Sequence, residues 1–119
     1  MSVFAITRIY SDEAGESHFS EEVIPLEDSG KIGFLSETVK TNGLIFREVV
    51  AAYDYDFHTA PQKQYIILLD GEIQIETSLG EVRNFGAGDV LLVEDVSGKG
   101  HRTKNITDAK RRSIFIPLL

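Results

Sequence analysis

The feature that most constrains this chain is a series of short apolar or alternating runs, cut at regular intervals by turns that carry glycine. Residues 65–69 and 72–77 form two such runs, separated by Asp70-Gly71. In Ile73-Gln74-Ile75-Glu76 the isoleucines fall on one face and the polar residues on the other, because successive strand side chains point to opposite sides. Asp-Gly between two strand-like runs is the strongest short hairpin signal, since a type I′ turn requires positive φ at both central residues. A hairpin is expected there. The next turn lies at Ser78-Leu79-Gly80, and residues 81–85 form the strand after it. Phe85-Gly86-Ala87-Gly88-Asp89 then makes a glycine corner into Val90-Leu91-Leu92-Val93. A loop over 94–100 and strands over 101–106 and 113–118 complete the second half.

The first half is less sharply written. Strands are expected over 19–26, 32–36 and 44–53, with turns at Asp28-Ser29-Gly30 and Thr41-Asn42-Gly43. Pro25 has no N–H to give to a ladder, which makes the first of these an edge strand or one that ends there. No stretch shows a helical period of useful length. Strands recurring every ~8–12 residues predict an all-β sandwich or barrel.

Bulk properties exclude several functions. A chain of 119 residues is one domain's worth of protein, and it contains no cysteine, so neither a disulfide framework nor a thiolate site exists. The net charge of -7 argues against nucleic acid, whose phosphates call for a basic surface. The cluster Lys110-Arg111-Arg112 reads as a solvated turn between two strands. No run approaches the ~20 apolar residues of a membrane span, and Asp12, Glu13 and Glu16 follow too closely on Val3-Phe4-Ala5-Ile6 for an export signal. A cytoplasmic protein with no membrane and no nucleic-acid partner is expected.

The residues able to carry chemistry are few. His58 closes Tyr53-Asp54-Tyr55-Asp56-Phe57 just before Pro61, Gln64 opens the following strand, and His101 opens another after the glycine loop. In a barrel, inward and outward positions alternate, so residues this remote can meet in the lumen. Arg47 and Glu48 are neighbours on one expected strand, so one of the two faces inward. An inward Arg would anchor an anionic substrate and an inward Glu would serve as acid or base. Tyr53, Tyr55 and Tyr65 could aim hydroxyls at a ligand. Tyr53, Tyr65, Arg47 and Glu48 are therefore the expected substrate contacts. His18 reads as a structural residue.

His58-Thr59-Ala60, with Gln64 and Gly71, resembles the first cupin motif, in which His-x-His, Glu and Gly recur at this spacing. Gly86-Ala87-Gly88-Asp89, followed by a strand, a loop and His101, resembles the second motif, where a Pro-x-Gly-Asp turn precedes a strand and a histidine. The resemblance covers residues 57–102. It implies a cupin-type double-stranded β-helix, a jelly-roll barrel, as a single domain over 1–119. Residues 44–119 would form the barrel, and strands within 1–43 would serve dimerisation. It also implies a divalent metal (Fe, Mn, Zn or Ni) held by His58, Gln64 and His101.

The departures weaken that site. Ala60 stands where the second histidine would and offers no ligand atom. Gln64 replaces the glutamate with a neutral amide, Gly86 replaces the proline, and the loop before His101 is about two residues long beyond the usual. The expected function is a small-molecule enzyme acting in the lumen, with dioxygenase-, isomerase- or lyase-like chemistry. Without metal, a histidine would act as general base. The alternatives are a non-catalytic small-ligand module or sensor, and a scaffold whose lumen is packed. A homodimer is expected in each case.

Overall fold

The computed structural model describes residues 2–119. Twelve strands account for most of the chain: β1 (Val3–Ser11), β2 (Ser17–Pro25), β3 (Glu27–Asp28), β4 (Phe34–Leu35), β5 (Ile45–Val49), β6 (Asp54–His58), β7 (Gln64–Leu68), β8 (Glu72–Thr77), β9 (Val82–Gly86), β10 (Val90–Val93), β11 (His101–Asn105) and β12 (Arg111–Pro117). Between β3 and β4 lies one turn of 3₁₀ helix, Gly30–Ile32. Among the described residues no helix is long and apolar enough to cross a membrane.

The strands form two facing sheets. The larger has the order β2-β1-β10-β7-β12-β5 and the smaller β6-β11-β8-β9, with β3 and β4 pairing apart from both. From β5 onward every connection except β8–β9 carries the chain from one sheet to the other, which is jelly-roll wrapping. The all-β jelly roll expected is therefore present, as a sandwich of two sheets that are not closed on one another. Ile9, Phe19, Ala60, Leu68, Ile73, Ile75, Phe85, Leu91 and Val93 fill the space between them. Period-2 patterning explains β8, where Ile73, Ile75 and Thr77 turn inward. The unbroken apolar run of β10 has another cause. It sits inside the large sheet, parallel to β1 and antiparallel to β7, and Leu91, Leu92 and Val93 are all buried.

Three expectations are corrected. Asp70-Gly71 is not a hairpin, because β7 pairs with β10 and β12 while β8 pairs with β9 and β11. Gly71 has φ 69°, but among the described residues no non-glycine has positive φ, so a type I′ turn is absent at Asp70-Gly71. Asp70 instead accepts the Arg112 backbone N–H at 2.6 Å and its guanidinium Nε–H at 3.0 Å, which pins the corner where the chain leaves the large sheet. The strand expected over 44–53 stops at Val49 as β5; the chain changes sheets at 50–53 and continues as β6, which was not foreseen. The strand expected over 32–36 is reduced to β4 and the end of the 3₁₀ turn. In addition β1, unforeseen, pairs with β2 along its whole length. The 19–26 run is therefore built into its own sheet as the edge strand that Pro25 indicated.

Candidate functional site

The open side of the sandwich holds a cavity of about 280 Å³ walled by both sheets. Its position follows from register. His101 stands opposite His58 across the β11–β6 ladder, and the two imidazole centroids are 4.8 Å apart. Gly100 makes this approach feasible. It has φ 71°, and a Cβ there would lie 2.0 Å from the His58 carbonyl oxygen. The Ser17 hydroxyl donates to the Gly100 carbonyl at 2.7 Å and holds the loop down.

Both histidines are held through Nδ1. His101 Nδ1 meets Asp95 Oδ2 at 2.5 Å, in a pair 5% and 0% exposed. A carboxylate only accepts, so Nδ1 carries a proton, and in the neutral imidazole the lone pair is left on Nε2. His58 Nδ1 donates to the Asp56 carbonyl at 2.8 Å, which selects the same tautomer. Burial is the main cause that pushes the His58 imidazole below its ordinary value; nearby His101 and Arg47 add to this, while the Asp56 hydrogen bond and Asp95 oppose it. Tyr55 stacks on His58 with centroids 3.6 Å apart. Gln64, 3% exposed, lines the same wall, and its Oε1 has no hydrogen-bond partner.

At the other end of the cavity lie two arginines. The pairing Ser113↔Arg47 puts Arg47 on the face that Ser113 presents to the interior, since directly opposed residues share a face. That settles the Arg47/Glu48 question: Arg47 lines the cavity, while Glu48 is exposed with Lys110 4.0 Å away. Glu48 is thus corrected as a substrate contact. So is Tyr65, which alternates with Gln64 and Ile66 on β7 and lies off the cavity wall, whereas Tyr53 lines it. Arg102 also faces away, forked onto Asp54 at 3.1 and 2.9 Å. His18 is engaged with Asp12 at 2.7 Å outside the cavity.

Two site residues escaped sequence reasoning. Asp95 was hidden in the 94–100 loop; the signal available was an acidic residue six positions before the histidine. Arg111 was assigned to a solvated turn, yet it is 2% exposed and opens β12. Its neighbours Lys110 and Arg112 do remain exposed, with side chains 75% and 66% accessible. Running the alternation of Ser113 and Phe115 back by one step would have turned Arg111 inward.

An ion at this site would draw on two imidazoles and the Gln64 amide oxygen, because no group of three His, Cys, Asp or Glu side chains stands together among the described residues. Imidazole centroids 4.8 Å apart suit two ligands of one ion at ~2 Å bond lengths, and the orphaned Gln64 oxygen could be a third. The charge does not suit it. All three donors are neutral, Asp95 is committed to His101, and Arg47 and Arg111 bring positive charge into the same cavity. The donor set does not fit a tightly held divalent ion.

No family model and no curated protein sequence matches this chain. Solved structures do. A sugar phosphate isomerase from a cupin superfamily, from Silicibacter pomeroyi, aligns over 99% of this chain and 72% of its own, at 17% identity and a TM-score of 0.52. The Schizosaccharomyces pombe Cnp3 cupin domain aligns over 98% and 85%, at 14% identity and a TM-score of 0.47. The likeness to the first of these shows a cupin-like fold.

Proposed function

We propose that this protein is an enzyme that moves a proton on a small molecule held between its two sheets, with His101 as the base and Asp95 as the carboxylate that orients it. The observation that carries this reading is the buried His101–Asp95 pair, whose His101 lines the cavity. Asp95 fixes the tautomer that leaves Nε2 free to accept a proton, and stabilises the imidazolium that results. In the step proposed, Nε2 takes a proton from a carbon next to a carbonyl, and the C–H electron pair becomes the enolate. The imidazolium then returns the proton to the same or the adjacent carbon. Isomerisation of this kind consumes no oxidant or reductant. The cationic end of the cavity lowers the cost of negative charge on the substrate, more so in a water-poor site.

The orphaned Gln64 oxygen is placed to accept from a substrate hydroxyl. The cavity volume suits a small metabolite rather than a polymer. We propose no tightly bound metal, so activity should persist in protein stripped with EDTA.

The test is a thermal-shift screen of small metabolites, followed by NMR detection of C–H loss in D₂O for those that bind. Wild type should catalyse exchange, and His101→Gln should slow it by about 10²- to 10⁴-fold. Binding without exchange would leave a non-catalytic ligand module. Exchange that needs an added divalent ion would restore the metal reading.

A homodimer is also part of this reading. Ile32, Phe34, Leu35, Val39, Leu44, Ile45 and Phe46 are all exposed, Phe46 at 78%, and lie close together in sequence next to edge strand β5. Apolar exposure of that density marks surface that a partner covers. A single species of monomer mass at micromolar concentration in sedimentation would count against it.

A further inference from the structure

We infer that the end of the cavity between β5 and β12 is an anion subsite, in which Arg47 and Arg111 take the carboxylate or phosphate group of the small molecule. This deepens the reading of the cavity as a small-molecule site and rests on it.

Arg111 is the decisive residue. It is 2% exposed, its Nη2 has no hydrogen-bond partner, and it lines the cavity. Neither Arg111 nor Arg47 belongs to any ion pair among the described residues; Asp70 is taken by Arg112, and Glu48 faces Lys110. A guanidinium buried without a counterion is costly, and two sharing one cavity repel. Proteins keep such an arrangement where an anion from outside completes it. Burial first, and Arg47 second, hold the Arg111 guanidinium below its ordinary value, although a guanidinium stays charged at any working pH.

The subsite is also built rigidly. Arg111 Nε donates to Asn105 Oδ1 at 2.9 Å, and the Asn105 amide donates to the Val50 and Ala51 carbonyls at 3.1 and 3.2 Å, so the acceptor is itself held. The Tyr53 ring lies 4.9 Å from the Arg47 guanidinium carbon and 5.6 Å from that of Arg111, with Phe115 4.8 Å from Arg47. Gly71 makes room, since a Cβ there would lie 3.2 Å from Arg111 Cγ. Two planar donors fixed in this way suit the oxygens of a carboxylate or phosphate. The two ends of the cavity are spanned by β11, from His101 to Asn105, four steps of ~3.3 Å. The anionic group and the reacting carbon therefore belong to different parts of one molecule.

Isothermal titration at constant ionic strength, with inorganic phosphate, succinate and neutral glycerol as probes, tests this. Wild type should bind at least one anion and not glycerol, and the tighter of the two names the source, phosphomonoester or carboxylate. Arg111→Met and Arg47→Gln should each weaken that binding by roughly 10- to 100-fold. Glu48→Gln, on the outward face of the same strand, should leave it unchanged. Arg111→Met should also melt no lower than wild type, because it removes a buried unpaired charge. The inference is overturned if neither anion binds, or if binding survives both arginine substitutions. Arg47→Gln, at a half-buried position, carries the test should Arg111→Met not fold. Anion binding that both variants lose, together with no proton exchange in any ligand, sinks the catalytic reading alone. Exchange abolished by His101→Gln in a protein that binds neither anion sinks the subsite alone.

Discussion

Two histidine–aspartate pairs in this molecule have the same residue types at the same spacing, six residues apart, and differ in their surroundings. Asp12 and His18 meet on the outer part of the large sheet, with side chains 37% and 33% exposed. Asp95 and His101 meet inside, 0% and 5% exposed, beside a cavity that also holds His58 and Gln64. His18 engages Asp12 through Nε2, and Asp12 also accepts the backbone N–H groups of Ala14 and Glu16 in a turn. His101 engages Asp95 through Nδ1, which leaves Nε2 for the cavity. The first pair ties down a turn; the second, on the function proposed above, orients a base. Composition and spacing do not separate the two, whereas water access and the choice of ring nitrogen do.

That contrast can be broken or sharpened by substitution. The largest effect is expected from Gly100→Ala. The new methyl would collide with the His58 backbone, and the residue would sit at φ 71°, so stability should fall by on the order of 3 kcal/mol in chemical denaturation. A variant as stable as wild type would show that the two imidazoles do not depend on this close approach. Asp95→Asn comes next. An amide N–H facing Nδ1 would drive the proton to Nε2, and exchange should slow by about 10²- to 10⁴-fold with the fold intact. Unchanged rates would reduce the inner pair to a structural one like the outer.

A smaller effect concerns pH. Burial, the main cause, holds the folded His58 imidazole below the ordinary value near 6.5 that it regains on unfolding. The unfolded chain therefore binds the extra proton first. The His58 contribution is fully present above about pH 6.5 and is lost as pH falls towards the folded value. The stability difference between wild type and His58→Gln should shift in that direction on acidification; a pH-independent difference would contradict the burial argument. The smallest effect is expected from His18→Gln, which should leave exchange unaltered and Tm nearly so. Loss of exchange there would erase the distinction between the pairs.

Much of the second half was legible because alternation is a local property. The pattern of Ile73 and Ile75 against Gln74 and Glu76 reports which face of β8 is wet, and the glycines mark where the chain bends. That His58 and His101 would meet was implied by the resemblance to the two cupin motifs, and the two stand opposite each other across the β11–β6 ladder. The jelly-roll crossing at Asp70-Gly71 was not legible, because a turn sequence records local dihedral preference and not which strands pair beyond it. The hairpin signal was overridden by the pairing of β7 with β10 and β12.

By itself, the sequence determined an all-β chain without thiol chemistry, with two motif histidines and an amide where a carboxylate would sit. Tertiary structure alone decided which acid serves His101, which of Arg47 and Glu48 turns inward, and that Arg111 leaves its basic cluster for the interior. The first depends on how the loop after β10 folds back on His101, and the other two on the register by which β5 and β12 join the large sheet. A shift of one residue in register exchanges the two faces of a strand, and for a mixed run such as that of β5 the strand's own sequence does not say which face is buried.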